Sequence, residues 1–185
     1  MTCIVGFEDK GRVYIGGDSC GSNLYNYSIV TEPKVFIKED FIIGYTHTFR
    51  FGQLLQYKMR IPKRYSDDKR SDYEYLVSDF VEAMRKCLKE NGAAEIDKSI
   101  ESGGDCLIGY RGCLYRIQSD FSVIRNNNGI NAVGCGGTVA KTVMMVITDK
   151  TLGLFSSTED ILDLALHYVC RIDSHVRPPF TILSL

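Results

Sequence analysis

Three residues near the start of the chain have side chains suited to joint chemistry: Thr2, Asp18 and Lys34. A threonine hydroxyl is a weak nucleophile that needs a base, and the α-amine of the same residue can serve once Met1 is removed. That amine has an unperturbed pKa of about 7.7–8.0, close to working pH, so it can accept a proton and return it. A lysine ammonium beside it favours the neutral amine and steadies negative charge growing on the hydroxyl oxygen. A carboxylate next to the lysine holds it and compensates its charge in a partly buried place. Each residue also has an ordinary explanation, since Asp is common in turns and Lys at strand ends. Joint action requires a sheet that brings all three together.

The elements around them have the right order. Thr2 to Phe7 and Val13 to Gly17 are apolar runs joined by Glu8-Asp9-Lys10-Gly11, a hairpin pattern that puts Asp18 at the end of its second strand. After GGDSCGSNLYNYS, which reads as a loop, Lys34 opens a further strand pair, Val35 to Ile37 and Phe41 to Tyr45. Phe51, Leu54, Leu55 and Met59 fit one helical face. KRYSDDKRSD reads as a solvated loop. Tyr73, Leu76, Val77, Phe80, Val81, Met84 and Leu88 make an apolar stripe that ends at Asn91-Gly92. Strands return at Cys106 to Tyr110 and Leu114 to Ile117 about Arg111-Gly112, and Phe121 to Ile124 and Ile130 to Val133 continue that sheet. Gly134-Cys135-Gly136-Gly137 introduces a helix to about Ile147. Ser156 with Glu159 resembles a capping box for a helix carrying Ile161, Leu162, Ala165, Leu166 and Val169, and Phe180 to Leu183 is a last strand. Strand blocks alternating with helix pairs are not the βαβ order of a parallel sheet. They predict an α+β fold in one domain, residues 1–185, of two stacked sheets with helices on each outer face.

Composition narrows the function. A net charge of −1 gives no reason to expect nucleic acid or an anionic membrane as partner. No apolar run is long enough to span a bilayer, and the start lacks the pattern of a secretion signal. The seven cysteines (3, 20, 87, 106, 113, 135 and 170) form no C-x-x-C pair, which fits reduced thiols in a cytosol. His47, His167 and His175 lack metal-ligand spacing. Neither a metal nor another cofactor is expected.

MTCIVGFEDKGRVYIGGDSCGSN followed by PKVFI resembles the N-terminal-nucleophile hydrolases of the proteasome β-subunit and HslV type. Mature members begin at Thr, carry G-D at the end of the second strand and K-V at the start of the third, and the intervals from Thr2 to Asp18 to Lys34 are similar. The resemblance extends through Ile43-Gly44-Tyr45-Thr46, Asp105 to Tyr110 and Gly134 to Gly137. It implies a four-layer αββα sandwich and a threonine peptidase or amidohydrolase acting on peptides or unfolded proteins. In it Thr2 is the nucleophile, Lys34 tunes it and Asp18 orients Lys34. It further implies a cytoplasmic homo-oligomeric ring, a possible ring-shaped ATPase unfoldase, and a host-cell cytoplasm if the source is a bacteriophage. The alternative is an inactive scaffold subunit of the same fold.

This chain departs from that pattern at Cys135, at His47 and at the second Asp, and keeps it at Gly136 and Gly137. Cys135 stands where the family has a Ser that contacts the amine. His47 stands near the Gly or small residue whose backbone N–H faces the oxyanion. Gly136 and Gly137 bring a helix start near the site. The family's second Asp corresponds to Arg171 or Asp173, a choice the sequence leaves open. Cys3 becomes an N-terminal nucleophile only if Thr2 is also removed.

Overall fold

Hairpins build the first quarter of the chain, whose computed structural model describes residues 2–23, 26–98, 100–149 and 157–185. Strand β1 (Cys3–Asp9) pairs antiparallel with β2 (Arg12–Gly17), Ile4 opposite Gly17 and Asp9 opposite Arg12. Lys10 and Gly11 make the turn alone, with φ of 49° and 77°. Two left-handed residues suffice to reverse a twisted hairpin, so Glu8 and Asp9 extend the strand instead of entering the turn. The stretch expected as a loop holds a small hairpin, β3 (Cys20–Ser22) with β4 (Tyr27–Ile29). Lys34 then leads into β5 (Val35–Lys38), paired with β6 (Phe41–Tyr45).

Helix α1 (Phe49–Gln53) begins where Thr48 Oγ1 accepts from the Phe51 N–H, and continues as a π-turn over Leu54–Lys58. Lys38 closes that end, its Nζ donating to the carbonyls of Leu55, Gln56 and Met59 at 2.8, 2.8 and 2.6 Å. Helix carbonyls left without intrahelical donors are thereby satisfied by a cation at the favourable end of the helix. Helix α2 (Asp72–Tyr75), a second π-turn (Leu76–Phe80) and α3 (Val81–Glu90) run on as one rod. The π-turn corrects the predicted stripe. A register of i to i+5 pairs Tyr75 with Phe80 on the core side, so Tyr75 is 1% exposed while Tyr73 and Val77 are 48% and 45% exposed. The preceding loop is more than solvated: Arg64 and Arg70 tie it together through Asp68, Asp72 and Asp79.

A hairpin without a sequence signal follows, β7 (Glu95–Asp97) with β8 (Ile100–Ser102). After it come β9 (Cys106–Tyr110), β10 (Cys113–Ile117), β11 (Val123–Ile124) and β12 (Ile130–Gly134). Phe121 has φ of 66° and belongs to the turn before β11, not to the strand. Helices α4 (Gly137–Ile147) and α5 (Thr158–Ile172) and strand β13 (Thr181–Ser184) complete the chain. Ser157 caps α5 in a reciprocal pair with Asp160. The predicted partner Ser156, like Met1, lies outside the described residues, and Glu159 sits in the first turn.

The strands form two main sheets, ordered β12-β1-β2-β13 and β11-β10-β9-β6-β5. Strand β12 therefore does not continue the sheet of β11; it crosses to pair with β1, Cys3 opposite Gly134. Three apolar cores stack through the molecule. Phe41, Ile43, Leu76 and Phe80 fill the space between the second sheet and α1–α3. Val5, Ala140, Leu162 and Leu166 fill that between the first sheet and α4–α5. Ile4, Ile15, Val35, Ile42 and Leu107 join the two sheets. Alternating in/out side chains give each sheet two apolar faces to cover, and this layering covers all four: the fold is an αββα sandwich. No helix among the described residues is long and apolar enough to cross a membrane.

Candidate active site

Thr2 precedes β1 and Asp18 follows β2, so the first hairpin brings them to one end of one sheet. Lys34 comes from the other sheet, immediately before β5, and its side chain bridges the gap. All three are buried, with relative exposures of 6%, 1% and 1%. Lys34 Nζ donates to Thr2 Oγ1 at 3.0 Å, to both Asp18 carboxylate oxygens at 3.0 Å and to the Cys20 carbonyl at 2.6 Å. Asp18 also accepts the backbone N–H of Cys3 at 2.9 Å and of Cys20 at 2.8 Å. Every polar atom of this ion pair thus has partners, the condition under which a buried charge pair is tolerated. Ser19 anchors the loop from behind, its Oγ donating to the Pro179 carbonyl at 2.6 Å.

The other side of Thr2 is open. His47 follows β6 with φ of 76°, left-handed backbone that a side chain of its size rarely adopts. The Thr46 N–H and Oγ1 both donate to the Asp105 carbonyl, at 3.0 and 2.8 Å. Among the described residues no acceptor is found for the His47 N–H or for the Thr48 N–H, while the Thr46 N–H is taken up by Asp105. The imidazole lies 3.5 Å from Glu95 of β7, a partner that the sequence did not signal.

Cys135 sits directly opposite. Gly134 before it has φ of 92°, and a Cβ there would stand 2.0 Å from the Thr2 carbonyl oxygen, so only glycine lets the two backbones approach. The Cys135 thiol lies 3.4 Å from that same oxygen and also engages the Asp173 carboxylate. Burial of the sulfur, followed by Asp173, pushes the thiol pKa up to about 11. Cys3 is pushed up further by burial and then by the Asp18 charge. Both thiols are therefore protonated at neutral pH and are poor nucleophiles. Gly136 caps α4 behind Cys135, buried against Val169 and Cys3, and Gly137 starts the helix.

Arg171 and Asp173 lie in different surroundings. Arg171 lies over the Tyr168 ring at 5.4 Å, whereas Asp173, the residue capping α5, faces Cys135. Asp173 also accepts from the His175 N–H at 2.8 Å, with His175 Nδ1 at 3.1 Å. Burial alone would raise its pKa, but the hydrogen bonds from Cys135 and His175 prevail and hold the carboxyl below its usual range. His167 is a surface residue edge-on to Phe180. Among the described residues no three His, Cys, Asp or Glu side chains are grouped to hold a metal ion.

Two clefts meet at Thr2. One runs past Cys20, Gly21, Lys34, Tyr45 and Phe49; the other passes Asp105, Ser119, Gly134 and Cys135. Thr2, Thr46 and His47 form the ridge between them.

No family model matches the sequence, and no curated protein sequence matches it either. Solved structures do. BPH of Thiobacillus denitrificans in complex with epoxomicin is similar over 100% of this chain and 98% of its own, with a TM-score of 0.79 at 15% identity. HslV from Trypanosoma brucei is similar over 100% and 99%, with a TM-score of 0.67 at 17% identity. Anbu from Pseudomonas aeruginosa, solved as a helical assembly, is similar over 100% and 81%, with a TM-score of 0.64 at 16% identity. With its two sheets, two helical layers and these neighbours, the chain has the fold of the proteasome-like N-terminal-nucleophile hydrolases.

Proposed function

We propose that the protein is a threonine-type peptidase or amidohydrolase that uses Thr2 as its nucleophile after Met1 is removed. The observation that carries this reading is the 3.0 Å contact between Lys34 Nζ and Thr2 Oγ1, made inside a buried and fully partnered ion pair with Asp18. The freed Thr2 amine takes the proton from Oγ1 as the oxygen attacks the substrate carbonyl. The His47 N–H donates to the oxygen that becomes negative. When the C–N bond breaks, the amine proton passes to the leaving nitrogen and an ester remains on Oγ1. Water, deprotonated by the same amine, then hydrolyses that ester. The Lys34 side chain, 3.0 Å away, stabilises Oγ1 as it loses its proton. Cys135 and Asp173 take the place of the family's Ser and Asp beside the amine.

The substrate class is peptide or unfolded protein, and the assembled form a homo-oligomer in the cytoplasm, whether or not an ATPase unfoldase feeds it. Intact-mass measurement followed by an epoxyketone directed at N-terminal threonine tests the chemistry. The expected result is loss of Met1 and one adduct mapped to Thr2, absent from Thr2→Ala. A retained Met1 with no adduct would sink the reading and leave an inactive scaffold of the same fold.

A further inference from the structure

The chain that leaves helix α5 is wound around one side chain. Pro178 and Pro179 bar the helix from continuing, and Arg177 just before them turns its guanidinium back toward the helix end. Arg177 Nη1 donates to the carbonyls of Cys170, Asp173 and Val176 at 2.9, 3.3 and 3.0 Å, and lies 3.5 Å from Cys170 Sγ. Three carbonyls, each three residues from the next, thus converge on a nitrogen that carries two N–H bonds. Acceptors outnumber protons, so part of the attraction is that of a positive charge inside a ring of carbonyl oxygens. The last carbonyls of a helix lack intrahelical donors, and a cation there also meets the negative end of the helix dipole.

Two parts of the site depend on this turn. Asp173 contributes one of the three carbonyls, while its carboxylate engages Cys135 and accepts from the His175 N–H. On the other side, the Arg177 carbonyl accepts from the Ser19 N–H at 3.0 Å, and the Pro179 carbonyl from Ser19 Oγ, directly after Asp18. The guanidinium carbon also lies 5.9 Å from the centre of the Tyr27 ring on β4. Arg177 therefore joins the loop of Asp18 to the turn of Asp173. It grips that turn by the main chain, which leaves the Asp173 carboxylate directed at Cys135.

We propose that Arg177 is a positioning residue for the site at Thr2: its guanidinium, seated among the carbonyls of Cys170, Asp173 and Val176, fixes the turn that aims the Asp173 carboxylate at Cys135. The consequence for chemistry rests on Thr2 being the nucleophile; the consequence for Cys135 does not.

The test is a double-mutant cycle in the full-length protein, read on the Cys135 thiol, with the half-buried Cys113 of β10 as internal reference. Asp173 helps to hold the Cys135 pKa up, so losing or displacing its carboxylate should quicken alkylation by iodoacetamide. Arg177→Ala and Asp173→Asn should each speed Cys135 relative to Cys113 by about threefold or more, and the pair should exceed Asp173→Asn alone by less than about twofold. Epoxyketone labelling of Thr2 should fall about tenfold in Arg177→Ala. Arg177→Lys, which returns a cation to the same carbonyls, should lie nearer to wild type on both readouts. If Arg177→Ala is unfolded at the assay temperature, Arg177→Gln takes its place in the cycle. Equal quickening of Cys135 and Cys113, as from general loosening, overturns the proposal, and so does full additivity of the two substitutions. Labelling unchanged in Arg177→Ala, or Arg177→Lys no closer to wild type than Arg177→Ala, overturns it as well. No adduct on Thr2 in the wild type, with the Cys135 cycle as expected, would remove the nucleophile and leave the placement of Asp173 by Arg177 standing.

Discussion

The two sides of Thr2 are built on opposite principles. Toward the interior, Asp18 and Lys34 are sealed from water and bonded at every polar atom, so neither can change alone. Toward the clefts, His47 and Cys135 are exposed, with weaker contacts: a 3.5 Å approach to Glu95 and a thiol hydrogen bond of 3.4 Å to the Thr2 carbonyl oxygen. The inner side holds charge where desolvation makes each partner obligatory. The outer side works through backbone groups and through side chains that solvent screens. That contrast fits the resemblance to the proteasome-type hydrolases, in which Thr2, Asp18 and Lys34 match while Cys135 stands for a Ser and His47 for a small residue.

Removing Lys34 should break the inner side most severely. Lys34→Ala leaves the Asp18 carboxylate buried without its counter-charge, at a cost of about 3–5 kcal/mol measured by denaturant unfolding, and abolishes epoxyketone labelling. The double variant Asp18→Asn with Lys34→Met removes both charges. It should recover most of that stability and none of the labelling, separating the structural need from the chemical one. If the double variant labels Thr2 at the wild-type rate, Lys34 has no part in activating it.

His47→Gly probes the outer side and should act in the opposite direction. Glycine adopts a φ of 76° without strain, so the variant should gain up to about 1 kcal/mol in thermal unfolding. It keeps the backbone N–H and should keep labelling within about threefold of wild type. A loss as large as that of Lys34→Ala would erase the distinction between the two sides.

The smallest effect concerns Cys135. Its thiol pKa of about 11, against an ordinary 9.0, predicts alkylation by iodoacetamide at pH 8 at least about tenfold slower than in the denatured chain. Because the folded value is the higher one, the stability this thiol contributes is complete below the unfolded pKa and is lost as pH rises through the folded one. Alkylation as fast as in the denatured chain would mean that the sulfur is neither shielded from water nor beside Asp173.

Local pattern carried the inner side well. A hairpin signal at Lys10-Gly11 and a strand start at Lys34 put Asp18 and Lys34 where the two sheets meet, and the order of strand blocks and helix pairs indicated the layers. What the pattern lost were features set at a distance. A π-turn at Leu76–Phe80 shifts the buried face in a way that a helical period of 3.6 cannot register, so Tyr75 replaced Tyr73 in the core. Strand β12 looked like the next strand of its own block, but its apolar residues find their partner in β1. Hairpin β7–β8 has exposed isoleucines at 96 and 100 and no glycine turn to mark it, so Glu95 was not linked to His47. Arg171 and Asp173 lie two residues apart at a helix end, and only the direction of the chain leaving α5 separates them.

Lys34 and Asp18 belong to different sheets, and this has a consequence for how the protein comes into being. The contact at Thr2 Oγ1 does not exist in either sheet alone; it closes only when the layer of Ile4, Ile15, Val35 and Ile42 has formed between them. Under the proposed function, chemistry at Thr2 is thereby conditional on two events at once, like a lock needing two keys. On that reading a nascent or half-unfolded chain, its sheets apart, carries an inert threonine and cannot attack its neighbours. Loosening of the sandwich should accordingly silence the site before the chain as a whole unfolds.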